Sequence, residues 1–172
     1  IHIQNSTGVI PNAAYWYYDP RFSPTVQANT CLQALHGEGI KRLWIDLEFT
    51  WAGDYTASTY WKDFRERIKA GGYKTGIYTR KSWWDTKVGT LSTYFAQDPL
   101  WVAQYNTTLT LIPKGWTSAM IWQDGTPSVG HAAGVESEEI DHNFWNSDFS
   151  FAAGWGEVVI PPSDTITQPH DG

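Results

Sequence analysis

The segment Leu43-Trp44-Ile45-Asp46-Leu47-Glu48 decides the fold, because it has the pattern of a β-strand. Side chains alternate between the two faces of a strand, so the aliphatic residues predict one apolar face suited to covering helices. Trp44, Asp46 and Glu48 then share the other face. Their two carboxylates would lie about 6.5–7 Å apart at the C-terminal end of the strand, where parallel α/β folds place their sites. Repulsion and burial would raise the pKa of one carboxyl, as a general acid requires. The alternative is a solvated edge strand with two inert acids, which the apolar face argues against.

Strand-like and helical patterns alternate along the chain around this segment. Ser23-Pro24 to Gly37 and Ser58 to Gly71-Gly72 predict helices with start and stop signals, whereas Gly89 interrupts a third pattern around Trp83–Phe95. This spacing predicts an α/β fold with a parallel sheet, and the shorter gaps late in the chain predict strands joined by loops. Both a barrel and an open sheet fit the pattern. The predicted strands are Tyr15–Asp19, Leu43–Glu48, Lys74–Thr79, Leu100–Tyr105, Ala119–Asp124 and Ile140–Phe144.

Composition narrows the class of protein. A chain of 172 residues with 41% hydrophobic residues suits one domain, and a net charge of −6 argues against a nucleic-acid-binding protein. No run approaches the roughly 18 apolar residues of a membrane-spanning helix. A single cysteine, Cys31, excludes an internal disulfide framework, and it sits in an apolar helical pattern that predicts a buried thiol. The histidines have no metal-ligand spacing, so no metal or cofactor is expected.

Aromatic residues are unusually abundant, with 11 Trp, nine Tyr and seven Phe. Tryptophans beyond the needs of a core often stack on sugar rings, and a tryptophan-rich core is the alternative. In the first predicted strand, Tyr15, Tyr17 and Asp19 would share one face, and all three are expected to contribute to substrate binding. Asp141 lies in the last predicted strand and would share a face with Asn143, a weaker signal because such residues are common at strand ends.

Several segments, in chain order, resemble the family-25 glycoside hydrolases, lysozymes that cleave peptidoglycan. The resemblance covers most of residues 13–151, and the ordered set is more specific than the Asp-x-Glu motif alone. The matching segments are Ala14-Tyr15-Trp16-Tyr17, Gln27-Ala28-Asn29, Leu43-Trp44-Ile45-Asp46-Leu47-Glu48, Gly76-Ile77-Tyr78-Thr79 with Trp83, Leu100-Trp101-Val102-Ala103-Gln104-Tyr105, Ile121-Trp122-Gln123 and Ile140-Asp141-His142-Asn143-Phe144.

The resemblance implies a (β/α)-barrel, a TIM-barrel variant with short or missing late helices. It also implies that Glu48 is the general acid, that Asp46 is the neighbouring carboxylate and that Asp141 lies on the floor of the site. Many enzymes that act on N-acetylated sugars use the substrate's acetamido oxygen as nucleophile, with an aspartate orienting it, and Asp46 is expected to do so. The resemblance further implies that the saccharide cleft is lined by Tyr78, Trp101, Tyr105, Trp122 and Gln123.

The amino end departs from the family pattern. Members begin with two more strands, the first of which carries another acidic site residue, whereas no aspartate precedes Asp19 here. A sheet of six strands would not close easily into a barrel. We therefore expect an incomplete sequence, and the alternative is a shortened relative that completes its edge by oligomerising. Residues 1–158 are predicted to form one barrel-like domain, and the proline-rich residues 159–172 a tail or linker.

The expected function is secreted N-acetylmuramidase activity on peptidoglycan, without a nucleic-acid or membrane partner. One alternative is a glycosidase that acts on another amino-sugar polymer, such as chitin-like chains. The other is a non-catalytic carbohydrate-binding relative that keeps the aromatic residues. The Asp46–Glu48 pair favours an enzyme, because two carboxylates pointing into one cleft repel each other at a cost in stability.

Overall fold

A computed structural model describes residues 13–125 and 141–146. It contains a six-stranded sheet in which the strands follow chain order, from β1 to β6. The first five strands are parallel, and β6 pairs antiparallel with β5. The strands are β1 (Ala14–Tyr17), β2 (Arg42–Asp46), β3 (Lys74–Thr79), β4 (Leu100–Ala103), β5 (Ile121–Gln123) and β6 (Asn143–Trp145).

The six strands confirm the predicted α/β class, and each overlaps a predicted strand. The antiparallel direction of β6 was not part of the prediction, because the spacing after β5 does not specify how the chain returns to the sheet. The predicted tail at residues 159–172 and the amino-terminal segment before Ala13 lie outside the described residues.

Two long helices cover the sheet, and both were predicted from their start and stop signals. Helix α1 (Pro24–Leu35) begins after Ser23, whose hydroxyl accepts a hydrogen bond of 3.3 Å from the Val26 amide. Proline at the first helical position suits the helix because its missing N–H would have no partner there. Helix α2 (Ser58–Ala70) ends at Gly71. No helix within residues 13–125 and 141–146 has the length and apolar character needed to cross a membrane.

The third helical pattern is broken at Gly89, as the sequence predicted. Helix α3 (Lys81–Lys87) is followed by a 3₁₀ turn at Gly89–Leu91 and by the short helix α4 (Ser92–Phe95). Gly89 has φ +60°, a left-handed backbone conformation that an α-helix cannot contain and that glycine adopts without a steric penalty.

The helix-facing side of the sheet carries the main hydrophobic core. Leu43, Ile45 and Leu47 are at most 1% exposed and pack with the buried faces of α1 and α2. On the opposite face, Trp44 packs against Met120 and Ile121. The alternation predicted for β2 is therefore confirmed. Trp61 and Trp84 are also fully buried, so part of the aromatic excess belongs to the core.

A buried ion pair between Arg65 and Asp98 links α2 to the sheet. Arg65 is 1% exposed, and its Nε and Nη2 donate hydrogen bonds of 2.6 and 2.7 Å to the two carboxylate oxygens of Asp98. The Thr75 hydroxyl of β3 donates to the same carboxylate at 2.7 Å, and Arg65 Nη1 donates to the Tyr94 hydroxyl at 2.8 Å. These contacts compensate the desolvation of both charges and hold α2, β3 and the turn before β4 together.

Candidate active site

The two carboxylates of the β2 segment lie where the strand ends. Asp46 is the last residue of β2, and Glu48 follows two positions later on the same face. Between them, Leu47 turns into the core with no exposed surface, and its amide donates to the Tyr78 carbonyl at 2.9 Å. The alternation of the strand thus continues beyond β2, and both acids point away from the helices, as the sequence predicted.

Residues from all six strand regions converge on a cavity of about 220 Å³, which we call the acidic cavity. Strand register explains part of the convergence, because Tyr17, Asp46, Tyr78 and Trp101 are successive partners across β1 to β4. Seven residues that the sequence analysis singled out line this cavity: Tyr15, Asp46, Glu48, Tyr78, Trp101, Gln123 and Asp141.

Burial and neighbouring charge change the proton affinity of both acids. Burial, together with the smaller effect of the Glu48 charge, raises the pKa of Asp46 to about 7. Within residues 13–125 and 141–146, nothing donates a hydrogen bond to the buried Oδ1 of Asp46. The pKa of Glu48 is also raised, chiefly by burial, while Arg80 lowers it and Asp141 raises it. Both carboxyls therefore hold a proton more readily than a solvated acid.

Aromatic side chains form one wall of the acidic cavity. The Tyr78 hydroxyl donates a hydrogen bond of 2.6 Å to Gln123 Oε1, and burial raises the pKa of Tyr78. Trp101 lies edge-on to Tyr78 and to Trp44, with ring centroids 5.1 and 5.7 Å apart. Its indole N–H donates to Asn143 Oδ1 at 2.8 Å. The indole is therefore fixed before any ligand arrives.

Two of the predicted residues of β1 and its following turn lie at the margin of the site. Tyr17 is 39% exposed and does not line the acidic cavity, but the charge of Asp46 adds to burial in raising its pKa. The Asp19 carboxylate accepts from Arg21 Nε at 2.8 and 3.0 Å, and this hydrogen bonding lowers its pKa. Asp19 is paired with Arg21 and does not line the acidic cavity.

Trp122 corrects the predicted lining of the cleft. It neighbours Gln123 in β5, so strand alternation directs it to the opposite face. There its indole N–H donates to the Gln104 carbonyl at 2.8 Å, and its ring stacks on Phe144 with centroids 5.1 Å apart. Trp122 packs against the core cluster of Leu100 and Val102 and does not line the acidic cavity.

A second cavity, of about 430 Å³, adjoins the first, and Glu48 lines both. We call it the basic cavity because it contains Arg80 and Lys81. Tyr105, predicted to line the cleft, lies here and is 71% exposed. Arg80 was missed by sequence reasoning, although it follows β3 on the same alternating face as Tyr78. The lining residues are Glu48, Arg80, Lys81, Ser82, Asp85, Ala103, Gln104, Tyr105 and Leu111.

The described residues contain no group of three or more His, Cys, Asp and Glu side chains placed to hold a metal ion.

Comparison with known families identifies the chain. A family model described as "Glycosyl hydrolases family 25" matches residues 4–129. The chain belongs to glycosyl hydrolase family 25. Within this family-25 chain, the match includes β1 to β5 and both carboxylates of the β2 segment, but it ends before Asp141.

The family-25 chain is similar to proteins of bacteria and fungi. It is 34% identical to Lysozyme M1 of Streptomyces globisporus over an alignment of 89 residues. The alignment covers 51% of this chain and 29% of that relative. The bacterial lysozyme of Streptomyces coelicolor is 27% identical with a TM-score of 0.61, covering 80% of this chain and 68% of that one. A muramidase from Acremonium alcalophilum shares the fold, with a TM-score of 0.61 at 23% identity and coverage of 81% and 69%.

Proposed function

We propose that this family-25 chain hydrolyses the β-1,4 bond between N-acetylmuramic acid and N-acetylglucosamine in peptidoglycan. The observation that carries the proposal is the convergence of Asp46, Glu48 and Asp141 with fixed aromatic side chains on one cavity. Family membership supports it, as do the names of relatives described as lysozymes and muramidases.

Glu48 is the proposed general acid. It lies at the junction of the two cavities, so a sugar chain that occupies both passes over its carboxyl group. Asp46 has the more strongly raised pKa, but it lines the acidic cavity and not the basic cavity. Because a general acid must first reach the leaving oxygen, this position supports the proposal of Glu48 for the role. Burial raises its pKa, which favours the protonated form that the step needs.

In the proposed reaction, Glu48 transfers its proton to the glycosidic oxygen as the bond from that oxygen to C1 of the sugar breaks. The bonding electrons remain on the oxygen, and positive charge develops at C1. The acetamido oxygen of the same sugar attacks C1, while Asp46 orients the amide and stabilises the positive charge. Water then attacks C1 while the Glu48 carboxylate takes its proton. The bond from the acetamido oxygen to C1 breaks in this step, so the acetamido group is restored and Glu48 is protonated again. Asp141, which lies on the same cavity and raises the pKa of Glu48, helps to keep Glu48 protonated before the first step.

Saccharide binding is proposed for the walls of the acidic cavity. Tyr15, Tyr78 and Trp101 offer flat apolar surfaces for the faces of sugar rings, and Gln123 offers an amide for their hydroxyl and acetamido groups. The hydrogen bond from Tyr78 and the contacts around Trp101 reduce the entropy lost when a sugar binds. Tyr105 extends the binding surface into the basic cavity.

The proposal is tested by incubating the purified protein with peptidoglycan and reducing the released fragments with borohydride. Mass spectrometry then identifies the sugar alcohol at the new end of each fragment. Fragments ending in reduced N-acetylmuramic acid are expected. Ends in reduced N-acetylglucosamine, or cleavage of chitin oligosaccharides alone, would assign another glycosidase activity, and binding without cleavage would assign a carbohydrate-binding protein.

Glu48→Gln is the matched test of the mechanism, because the amide keeps the shape of the side chain but has no acidic proton to transfer. We expect turnover to fall at least about 100-fold while saccharide binding is retained. Glu38→Gln is the control, since Glu38 lies in the loop after α1 and lines neither cavity. Equal activity of Glu48→Gln and wild type would remove Glu48 from the mechanism.

Two further proposals follow from family membership. We infer that the sheet forms part of a (β/α)-barrel wall, which the parallel order of β1 to β5 and the helices on one side support. We also infer that the protein acts outside the cytoplasm, because its proposed substrate is a cell-wall polymer.

A further inference from the structure

The basic cavity differs in charge from the acidic cavity beside it. Three carboxyl groups and no cationic side chain of the described residues line the acidic cavity. Arg80 and Lys81 both line the basic cavity, together with Glu48 and Asp85. A substrate that spans Glu48 therefore meets negative groups on one side and cationic groups on the other.

The two cations of the basic cavity are not equivalent. Lys81 Nζ donates to Asp85 Oδ2 at 2.6 Å and to the Ile112 carbonyl at 3.1 Å. Asp85 in turn accepts from the Lys114 amide at 2.7 Å, and its pKa is lowered by these contacts against the effect of burial. The charges of Lys81 and Asp85 thus balance each other within the protein.

Arg80 has no such partner in the part of the chain that the structure describes. Its guanidinium forms no hydrogen bond or ion pair with any side chain in residues 13–125 or 141–146, and the residue is exposed at the cavity wall. Arg80 lowers the pKa of Glu48, which places its charge within electrostatic range of the proposed general acid. When Glu48 carries its proton, no described acidic side chain is paired with the Arg80 charge. The cavity then has room and unused hydrogen-bond donors for an anionic group.

We propose that Arg80 binds a carboxylate of the substrate in the basic cavity, next to the bond that is cleaved. This inference rests on the proposed function and deepens it. A planar guanidinium matches a carboxylate with two parallel hydrogen bonds, which the ammonium group of a lysine cannot reproduce. In peptidoglycan the carboxylate has two sources. It belongs to the lactyl group of muramic acid where the peptide has been removed, and to the stem peptide where the peptide is attached.

The test is equilibrium binding to the full chain carrying Glu48→Gln, so that no ligand is cleaved. Calorimetry would measure three tetrasaccharides: one from peptidoglycan with its stem peptides, one with free lactyl carboxylates, and chitotetraose, which has no carboxylate. Each would be measured with and without Arg80→Gln. Arg67→Gln is the control, because Arg67 is an exposed arginine on α2 that pairs with Asp63 and lines neither cavity.

Arg80→Gln is expected to raise the dissociation constant of a carboxylate-bearing ligand about tenfold, as for the loss of a charge-assisted hydrogen-bonded pair. Chitotetraose binding is expected to change less than about twofold, and Arg80→Lys to restore only part of the loss. An effect on the lactyl tetrasaccharide alone assigns the lactyl group, and an effect on the peptide-bearing one alone assigns the stem peptide.

An equal change for all three ligands would overturn the inference, because Arg80 would then act on the shape of the cavity and not on a carboxylate of the ligand. No change for any ligand would also overturn it. Hydrolysis by the protein with native Glu48 is assayed separately. Arg80-dependent binding without hydrolysis would leave the carboxylate site standing and overturn the proposed function. Hydrolysis of peptidoglycan, with binding that does not depend on Arg80 or on a ligand carboxylate, would support the proposed function and overturn the carboxylate site.

Discussion

Replacing Asp46 with Asn is expected to stabilise the protein at pH 8 and to leave its stability at pH 4 almost unchanged. Burial and the charge of Glu48 raise the pKa of Asp46 from 3.8 to about 7 in the folded state. The folded protein therefore binds the Asp46 proton more tightly than the unfolded chain does. Through this group the free energy of unfolding falls as pH rises from about 4 to about 7, and it is constant outside that range.

The magnitude follows from the difference between the two pKa values. The change from 3.8 to about 7 is roughly three units, and each unit corresponds to about 1.4 kcal/mol, so the ionised carboxylate costs about 4 kcal/mol above pH 7. Asparagine avoids the charge but keeps an oxygen that has no donor at the position of Oδ1, which retains part of the cost. We therefore expect a gain of about 2–4 kcal/mol at pH 8.

Urea denaturation at pH 4 and pH 8 measures this effect, and Asp54→Asn is the control because Asp54 is exposed and lines neither cavity. The substitution changes the free energy of unfolding by one amount at pH 8 and by another at pH 4. The test compares these two changes by subtracting the value at pH 4 from the value at pH 8. A difference within about 0.5 kcal/mol of that for Asp54→Asn would refute the reasoning, because it would mean that Asp46 ionises as freely in the folded protein as in the unfolded chain.

Three further predictions concern the core. Asp98→Asn removes the charge that compensates buried Arg65, so the free energy of unfolding in urea should fall by about 3–5 kcal/mol; a loss below 1 kcal/mol would contradict this. Gly76→Ala brings a Cβ within 2.4 Å of the Trp44 ring, so overpacking should cost about 1–3 kcal/mol in thermal unfolding, and an unchanged melting temperature would contradict it. Burial raises the pKa of Cys31 to about 12, so a disulfide reagent at pH 8 should react with it only after unfolding; rapid labelling of the native protein would contradict this.

Much of the fold could be predicted because local patterns and packing agree. The β2 segment alternates aliphatic and polar residues with the period of a strand, and the structure uses that alternation to separate core from cavity. Ser23-Pro24 predicts the start of α1 because a hydroxyl cap and a proline both suit a helix N-terminus. Such patterns can be recognised from residues that are neighbours in the sequence, without knowledge of tertiary contacts.

Trp122 shows where the sequence reasoning failed. Both Trp122 and Gln123 were expected to line the cleft, although adjacent residues of a strand face opposite sides. The sequence of β5 alone does not show which of the two residues lies on the cavity face of the sheet and which on the opposite face, because each side chain has both apolar and polar parts. Pairing with Ala103 of β4 and Asn143 of β6 settles that Gln123 faces the cavity, and these contacts lie 20 residues away along the chain in each direction.

Arg65 and Arg80 could not be distinguished from the sequence, because neither lies in a motif that indicates its role. Their roles depend on which acids the fold brings to them. Asp98 reaches Arg65 and neutralises it inside the core, whereas Arg80 lies at the end of β3 beside a cavity without a side-chain partner among the described residues. The pairing of charges across the fold, rather than their spacing in the chain, separates a structural arginine from a candidate binding residue.

The cost of Asp46 bears on the choice between an enzyme and a binding protein. A saccharide-binding cavity needs hydrogen-bond donors and acceptors, which Gln123 and the aromatic hydroxyl groups already supply without charge. An amide at position 46 would serve the same purpose and would avoid about 2–4 kcal/mol of destabilisation at pH 8. Only a reaction in which charge develops at the sugar requires a carboxylate that can ionise there, beside a second carboxyl that can donate a proton. The physical cost of the pair is therefore itself an argument for catalysis, and the two pH-dependent measurements on Asp46→Asn test its premise.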